Sequence, residues 1–174
     1  VADSLKLFSM AHIDNSTLLQ TEGIPQIKDA LVVLVKTEWN AGVINELENG
    51  CLRVLHEQGI HTKTLVVPGA VEIPFAIQHY QKEAKKKDRA DAFIALGCVV
   101  RGDTPHFDYV CQSVTQGVTQ LNLTLDVPTI FGVLTVNTQE QAEQRIGGIH
   151  GHKGEEAAIT ALKMIALSRL LKKG

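Results

Sequence analysis

The sequence predicts an α/β domain, a three-layer sandwich in which a central four-stranded parallel sheet is covered by helices on both faces. Two observations predict it. From Ala30 onward, short β-branched apolar runs alternate with longer stretches of helical period, and parallel strands need crossovers of that length because no tight turn can join them. The composition agrees: 174 residues, 44% hydrophobic and 21% charged with 14 Gly and 5 Pro, suit one core and exclude collagen-like and wholly disordered classes.

Residues 1–28 show no sustained period and carry a Gly23/Pro25 break, so they read as an arm before a domain at 29–174. ALVVLVK (30–36) is too short for a helix and is the first strand. In the next segment Val43, Ile44, Leu47, Cys51, Leu52 and Leu55 recur at spacings of three and four, with Asn40 as candidate cap and Gly59 as left-handed stop. TKTLVV (62–67) is the second strand, followed by a Pro68-Gly69 turn and a helix from about Val71 into KEAKKKDR (82–89). Pro74 falls in that helix's first turn, where its missing amide costs least. AFIALG (92–97) is the third strand, a helix spans about 105–125, and PTIFGVLTV (128–136) is the fourth strand. Thr138 with Gln141 forms a capping box ahead of TQEQAEQRIG, and EEAAITALKMIALSRLL closes the chain after the Gly/His segment GGIHGHKG.

Seventeen Lys plus Arg balance 19 Asp plus Glu, a formal net charge of -2, which gives no field for a polyanion; nucleic acid is not an expected partner. The lysine run reads as a solvated helix end, since no aromatics interleave with it. No apolar stretch is long enough to span a membrane and the first residues lack a signal-peptide pattern, so a cytoplasmic location is expected. Cys51, Cys98 and Cys111 have no CxxC spacing and read as free thiols, and His150-x-His152 lacks further ligands; no metal is expected.

In a parallel sheet the functional loops gather at the carboxyl ends of the strands: 37–40, 68–72, 97–106 and 132–138. Trp39, the only tryptophan, suits stacking on a ligand or filling a core. Glu72 suits a ligand contact or a helix cap. The third loop, GCVVRGDTPHFDYV, crowds Arg101, Asp103, Thr104 and His106 at a helix start, where free amides favour an anion and an imidazole can move protons near neutrality. Arg145 and Lys153 suit a phosphate or surface ion pairs equally. These residues support a flavodoxin-like α/β domain and do not by themselves name a reaction.

The motifs TEWN, VPGAVEIPFA, ALGCVVRGDTPHFDYVC, PTIFGVLTVNTQEQAEQR and HKGEEAA, in that order, closely resemble the lumazine synthase family of riboflavin biosynthesis. The resemblance implies condensation of 5-amino-6-(D-ribitylamino)uracil with 3,4-dihydroxy-2-butanone 4-phosphate to 6,7-dimethyl-8-ribityllumazine, releasing phosphate and water without a cofactor. It implies that Trp39 stacks on the pyrimidine, that Asn40 and the turn Ala70, Val71 and Glu72 hold the ribityl chain, and that Val99 and Val100 offer backbone groups to the ring edge. It further implies that Asp103 and Thr104 fall at the phosphate loop, that His106 transfers protons, and that Phe131, Arg145 and Lys153 arrive across a subunit interface. Arg145 stabilises the departing phosphate on this reading.

The family forms homopentamers and hollow icosahedral shells of twelve pentamers, and the Arg145-to-Lys153 stretch has the compact length of shell-forming members. The arm is expected to add a strand to a neighbouring subunit's sheet. RIGGIHGHKG departs from the commoner family pattern at Ile146, Ile149 and His152. Two isoleucines there suggest an exposed apolar patch that docks a second protein or a further copy of the chain. The competing functional classes are a non-catalytic scaffold of the same fold, natural or engineered, and a flavodoxin-like flavin carrier.

Overall fold

In the computed structural model, which describes residues 17–19 and 26–172, the arm is described only at 17–19 and 26–28, where no strand forms, and the rest of the segment expected to supply an arm strand lies outside the described residues. Strand β1 (Leu31–Thr37) runs between β2 (His61–Val67) and β3 (Ala92–Val100), and β4 (Thr129–Val136) lies beyond β3. The order is β2-β1-β3-β4 and every pairing is parallel.

Successive strand side chains point to opposite faces. Val32, Leu34, Ile94 and Leu96 therefore enter one core, and Val33, Val35, Phe93 and Ala95 the other. Burial on both faces explains why the central strands read as continuous apolar runs, whereas edge strand β2 tolerates His61, Lys63 and Thr64. Helices α1 (Ala41–Glu57) and α5 (Lys153–Leu171) cover the first face; α2 (Ile73–Glu83) and α3 (His106–Thr124) cover the second. A short α4 (Gln139–Glu143) and a hairpin, β5 (Ile146–Gly148) with β6 (Gly151–His152), link β4 to α5.

Several expectations hold. Gly59 has φ 68 just past α1, Pro74 sits in the first turn of α2, and Thr138 Oγ1 accepts from Gln141 N. Others are corrected. The second helix ends at Glu83 instead of running to 89: Ala84 is extended, and Lys86–Asp88 form a separate 3-10 turn. Continued as a helix, the chain would set Lys82 beside Lys85 and Lys86, like charges three and four residues apart, while Tyr80 Oη holds Asp88 O at 2.8 Å and Gln81 holds Ala90, folding the chain back to β3. The third strand continues past Gly97 to Val100 because β4 pairs with it that far. A Cβ on Gly97 would come within 3.1 Å of Val133, so the glycine marks close approach and not a strand end. The helix expected from Thr138 stops at Glu143, and the Gly/His segment GGIHGHKG forms most of the hairpin.

The α1–α5 seam fixes where α5 begins. A Cβ on Gly154 would fall 2.1 Å from Leu47 O, and one on Gly50 would fall 2.1 Å from the His152 ring. Cys51 Sγ donates to Gly154 O at 3.0 Å across this contact.

Candidate functional site

At the carboxyl ends of β1, β2 and β3 the chain encloses a cavity of about 510 Å3, within the range of small-molecule sites. Its first wall is the loop after β1. Thr37 Oγ1 donates to Trp39 O, and Glu38 N donates to Val67 O at 2.9 Å, tying this loop to β2. Trp39 is 73% exposed, which removes core filling as its role and leaves an indole beside the cavity.

Asn40 corrects the expected cap. Its backbone is left-handed (φ 58), outside the extended geometry of a capping residue, and its side chain makes no cap bond. Nδ2 instead donates to Cys98 O at 2.8 Å. The acceptor exists because β1 pairs with β3 only as far as Lys36 and Leu96, while β4 pairs to Val100. Beyond Leu96, the β1-facing edge of β3 therefore opens on the cavity, with Val99 and Val100 half-buried along it.

The turn after β2 supplies Ala70, Val71 and Glu72 in a 3-10 turn. Glu72 makes no capping hydrogen bond, so its expected alternative as a helix cap is not realised. A Cβ on Gly69 would meet Glu72 Oε2 at 3.0 Å and Trp39 Cδ1 at 3.6 Å. Gly69 thus lets carboxylate and indole converge over one bare backbone position.

His106 is the first residue of α3 and lines the same cavity from its exposed rim. Asp103 and Thr104 lie in the exposed loop just before it, beside the cavity and not among its lining residues. Arg101, the cation of this loop, turns away to Asp108 and Asn137. Burial raises the Cys98 thiol in the cavity wall to about 11, so it stays protonated near neutrality and is no nucleophile.

Phe131, Arg145 and Lys153 are not brought to this cavity. Phe131 and Lys153 border a separate groove of about 490 Å3 between edge strand β4 and α5. Lys153 Nζ pairs with Glu156 at 2.8 Å. Arg145 follows α4, with Nη1 donating to Gln141 O at 2.7 Å and its carbonyl accepting from Lys153 N at 2.9 Å. The expected patch at the hairpin is also corrected. Ile146 packs against the first core and only Ile149, 81% exposed, points outward. Sequence reasoning missed Thr37, Cys98 and Val110 as lining residues; the apolar pair reads as core, and only the strand-end position of Thr37 and Cys98 signals the cavity.

A family model described as 6,7-dimethyl-8-ribityllumazine synthase matches residues 29–169. A protein of that name from Porphyromonas gingivalis is 48% identical over 152 residues, 86% of this chain and 92% of its own length. The 6,7-dimethyl-8-ribityllumazine synthase of Parabacteroides distasonis is 45% identical over 148 residues, 83% and 90% of the two chains. That of Cytophaga hutchinsonii is 42% identical over 160 residues, 90% and 98%. Among the described residues no helix is long and apolar enough to cross a membrane.

Proposed function

The chain belongs to the 6,7-dimethyl-8-ribityllumazine synthase family, transferases of riboflavin biosynthesis, and from that premise we propose that the Trp39 cavity is where it performs the family's condensation. The reaction joins 5-amino-6-(D-ribitylamino)uracil to 3,4-dihydroxy-2-butanone 4-phosphate, yielding 6,7-dimethyl-8-ribityllumazine, phosphate and water. The observation that carries the site assignment is an exposed indole beside a cavity of about 510 Å3 with an imidazole at its rim.

A flat, polar, uncharged heterocycle needs one aromatic face and many hydrogen bonds. Trp39 supplies the face, and the open edge of β3 at Val99 and Val100 supplies backbone groups. Asn40, held by Cys98 O, keeps its Oδ1 for the ribityl hydroxyls, with Ala70, Val71 and Glu72 opposite. The backbone amides of the Asp103–Thr104 loop, the Thr104 hydroxyl and the first amides of α3 receive the phosphate. Imine formation, phosphate elimination and ring closure each move protons, a task for His106. Holding two reactive substrates together can contribute roughly 7 to 11 kcal/mol, so His106 assists more than it enables.

Phe131, Arg145 and Lys153 complete the site from an adjacent subunit of a homopentamer, with Arg145 on the departing phosphate. Their distance from the chain's own cavity supports this reading, as do the exposed Phe75, Tyr109 and Leu123 on α2 and α3, apolar surface that a neighbour can cover. Twelve such pentamers form a shell on the same reading, with the arm of residues 1–28 preceding a catalytic domain at 29–174. The free thiols Cys51, Cys98 and Cys111 agree with a cytoplasmic setting. The reading takes neither metal nor cofactor as a requirement. Mixing both substrates with the purified protein tests it. Lumazine absorbance and fluorescence above the uncatalysed rate support it; no excess product returns the fold to a scaffold role.

A further inference from the structure

The third loop carries the cation most obviously placed for a phosphate, yet Arg101 is occupied elsewhere. Its Nη2 and Nη1 donate to the two Asp108 carboxylate oxygens at 2.9 and 3.4 Å, and its Nε donates to Asn137 Oδ1 at 3.1 Å. The guanidinium carbon lies 4.1 Å from the Phe107 ring centroid. The backbone N of Arg101 donates to Val136 O at 2.9 Å, and Asp108 N donates to Pro105 O at 3.0 Å. One side chain therefore clamps both ends of the segment Gly102–His106 to each other and to the end of β4.

The contacts continue. Asn137 N donates to Gln141 Oε1 at 2.8 Å, and Gln141 O accepts from Arg145 Nη1 at 2.7 Å. A chain of polar contacts thus runs Asp108–Arg101–Asn137–Gln141–Arg145, from the loop at this subunit's cavity to the arginine assigned to a neighbour's. Arg101 and Asp108 are 43% and 60% exposed at the side chain, and exposed ion pairs add little to stability. Geometry, not stability, is what such a clamp supplies.

We propose that Arg101 is a positioning residue, which with Asn137 and Asp108 holds the phosphate loop and the Arg145 platform in register and so governs use of the phosphate-bearing substrate. This rests on the site reading above. Lysine keeps the charge but loses the planar fork and the stacked face.

Steady-state kinetics on the assembled protein test it with Arg101→Lys, Asn137→Ala and Asp108→Asn, the last opening the clamp from its other end should the first fold poorly. Each is expected to lower kcat/KM for the butanone phosphate about tenfold, in the range that misplacement of a loop produces. KM for the ribitylaminouracil should stay within about twofold, inhibition by inorganic phosphate should weaken in parallel, and the double variant Arg101→Lys with Asn137→Ala should be no worse than the poorer single, as for one network. Wild-type kinetics in Arg101→Lys, or an equal loss for both substrates with a lowered Tm, would overturn the inference. Arg145→Ala is run beside them: if it impairs use of the phosphate substrate while Arg101→Lys does not, the inference alone falls. If Arg145→Ala is silent, the site reading falls and takes the inference with it.

Discussion

The two halves of the proposed site differ in how the chain builds them. Trp39, Asn40, Ala70–Glu72, Val99, Val100 and His106 come from the ends of adjacent strands and converge on one cavity within a single chain. Phe131, Arg145 and Lys153 sit at the β4 edge and the α4–hairpin–α5 corner, away from that cavity. One half is preorganised by the sheet; the other is held ready by local contacts such as Arg145 with Gln141 and Lys153 with Glu156. On the proposed reading the fold is complete within one chain while the chemistry is shared, as it would be in a head-to-tail ring where one surface meets a different surface of the next copy.

The sharpest way to break this contrast is complementation. On the proposed roles, a proton-transfer group and a phosphate partner respectively, His106→Ala and Arg145→Ala should each lower kcat/KM about 100-fold. Chains of the two variants, mixed, unfolded and reassembled, should recover about a quarter of wild-type activity, since one random pairing in four joins two intact halves. No recovery would mean that both residues serve one chain's own cavity.

Next in size is the seam that anchors the start of α5 and hence Lys153. Gly154→Ala forces a Cβ onto the Leu47 carbonyl and should cost about 2–3 kcal/mol of unfolding free energy by urea titration. Trp39→Ala should do the reverse on the cavity side. It should leave stability within about 0.5 kcal/mol because the ring is exposed, yet weaken ribitylaminouracil binding about tenfold by calorimetry.

The smallest effect separates the two regions by pH. Burial, with Glu48 adding to it, raises the Cys51 thiol from 9.0 to about 12, whereas Cys98 beside the cavity rises to about 11. In each case the native state keeps its proton longer than the unfolded chain does. The associated stability is whole below pH 9 and is lost as pH climbs toward the folded value. Thermal melts between pH 8 and 11, compared within each protein, should therefore show a shallower alkaline decline in Cys51→Ala than in wild type, and a smaller flattening in Cys98→Ala.

Much of the architecture was legible. The β-branched run at 31–37, the period of Val43 to Leu55 and the Thr138 cap act through local spacing, which survives in any context. Element ends were less legible because neighbours set them: β3 runs past Gly97 since β4 offers a partner, and α2 stops before the lysine run since Gln81 fastens Ala90. At the site, the motifs pointed to every cavity residue assigned a role, but Asn40 read as a cap because nothing in TEWN reveals the Cys98 carbonyl, 58 residues away. Arg101 read only as one of several residues crowding the third loop, and its clamp stayed hidden for the same reason, its partner Asn137 lying 36 positions on.

Alone, the sequence determined the alternation of strands and helices, which loops share an edge, and the family to which the motifs belong, since periodicity and residue type are properties of the chain itself. Tertiary structure decided that Trp39 stands exposed while Ile146 is packed away, that Arg101 clamps a loop, and that Arg145 leaves its own cavity. Those outcomes depend on which surfaces meet across the sheet, and long-range contact is set by packing in three dimensions and not by spacing along the backbone.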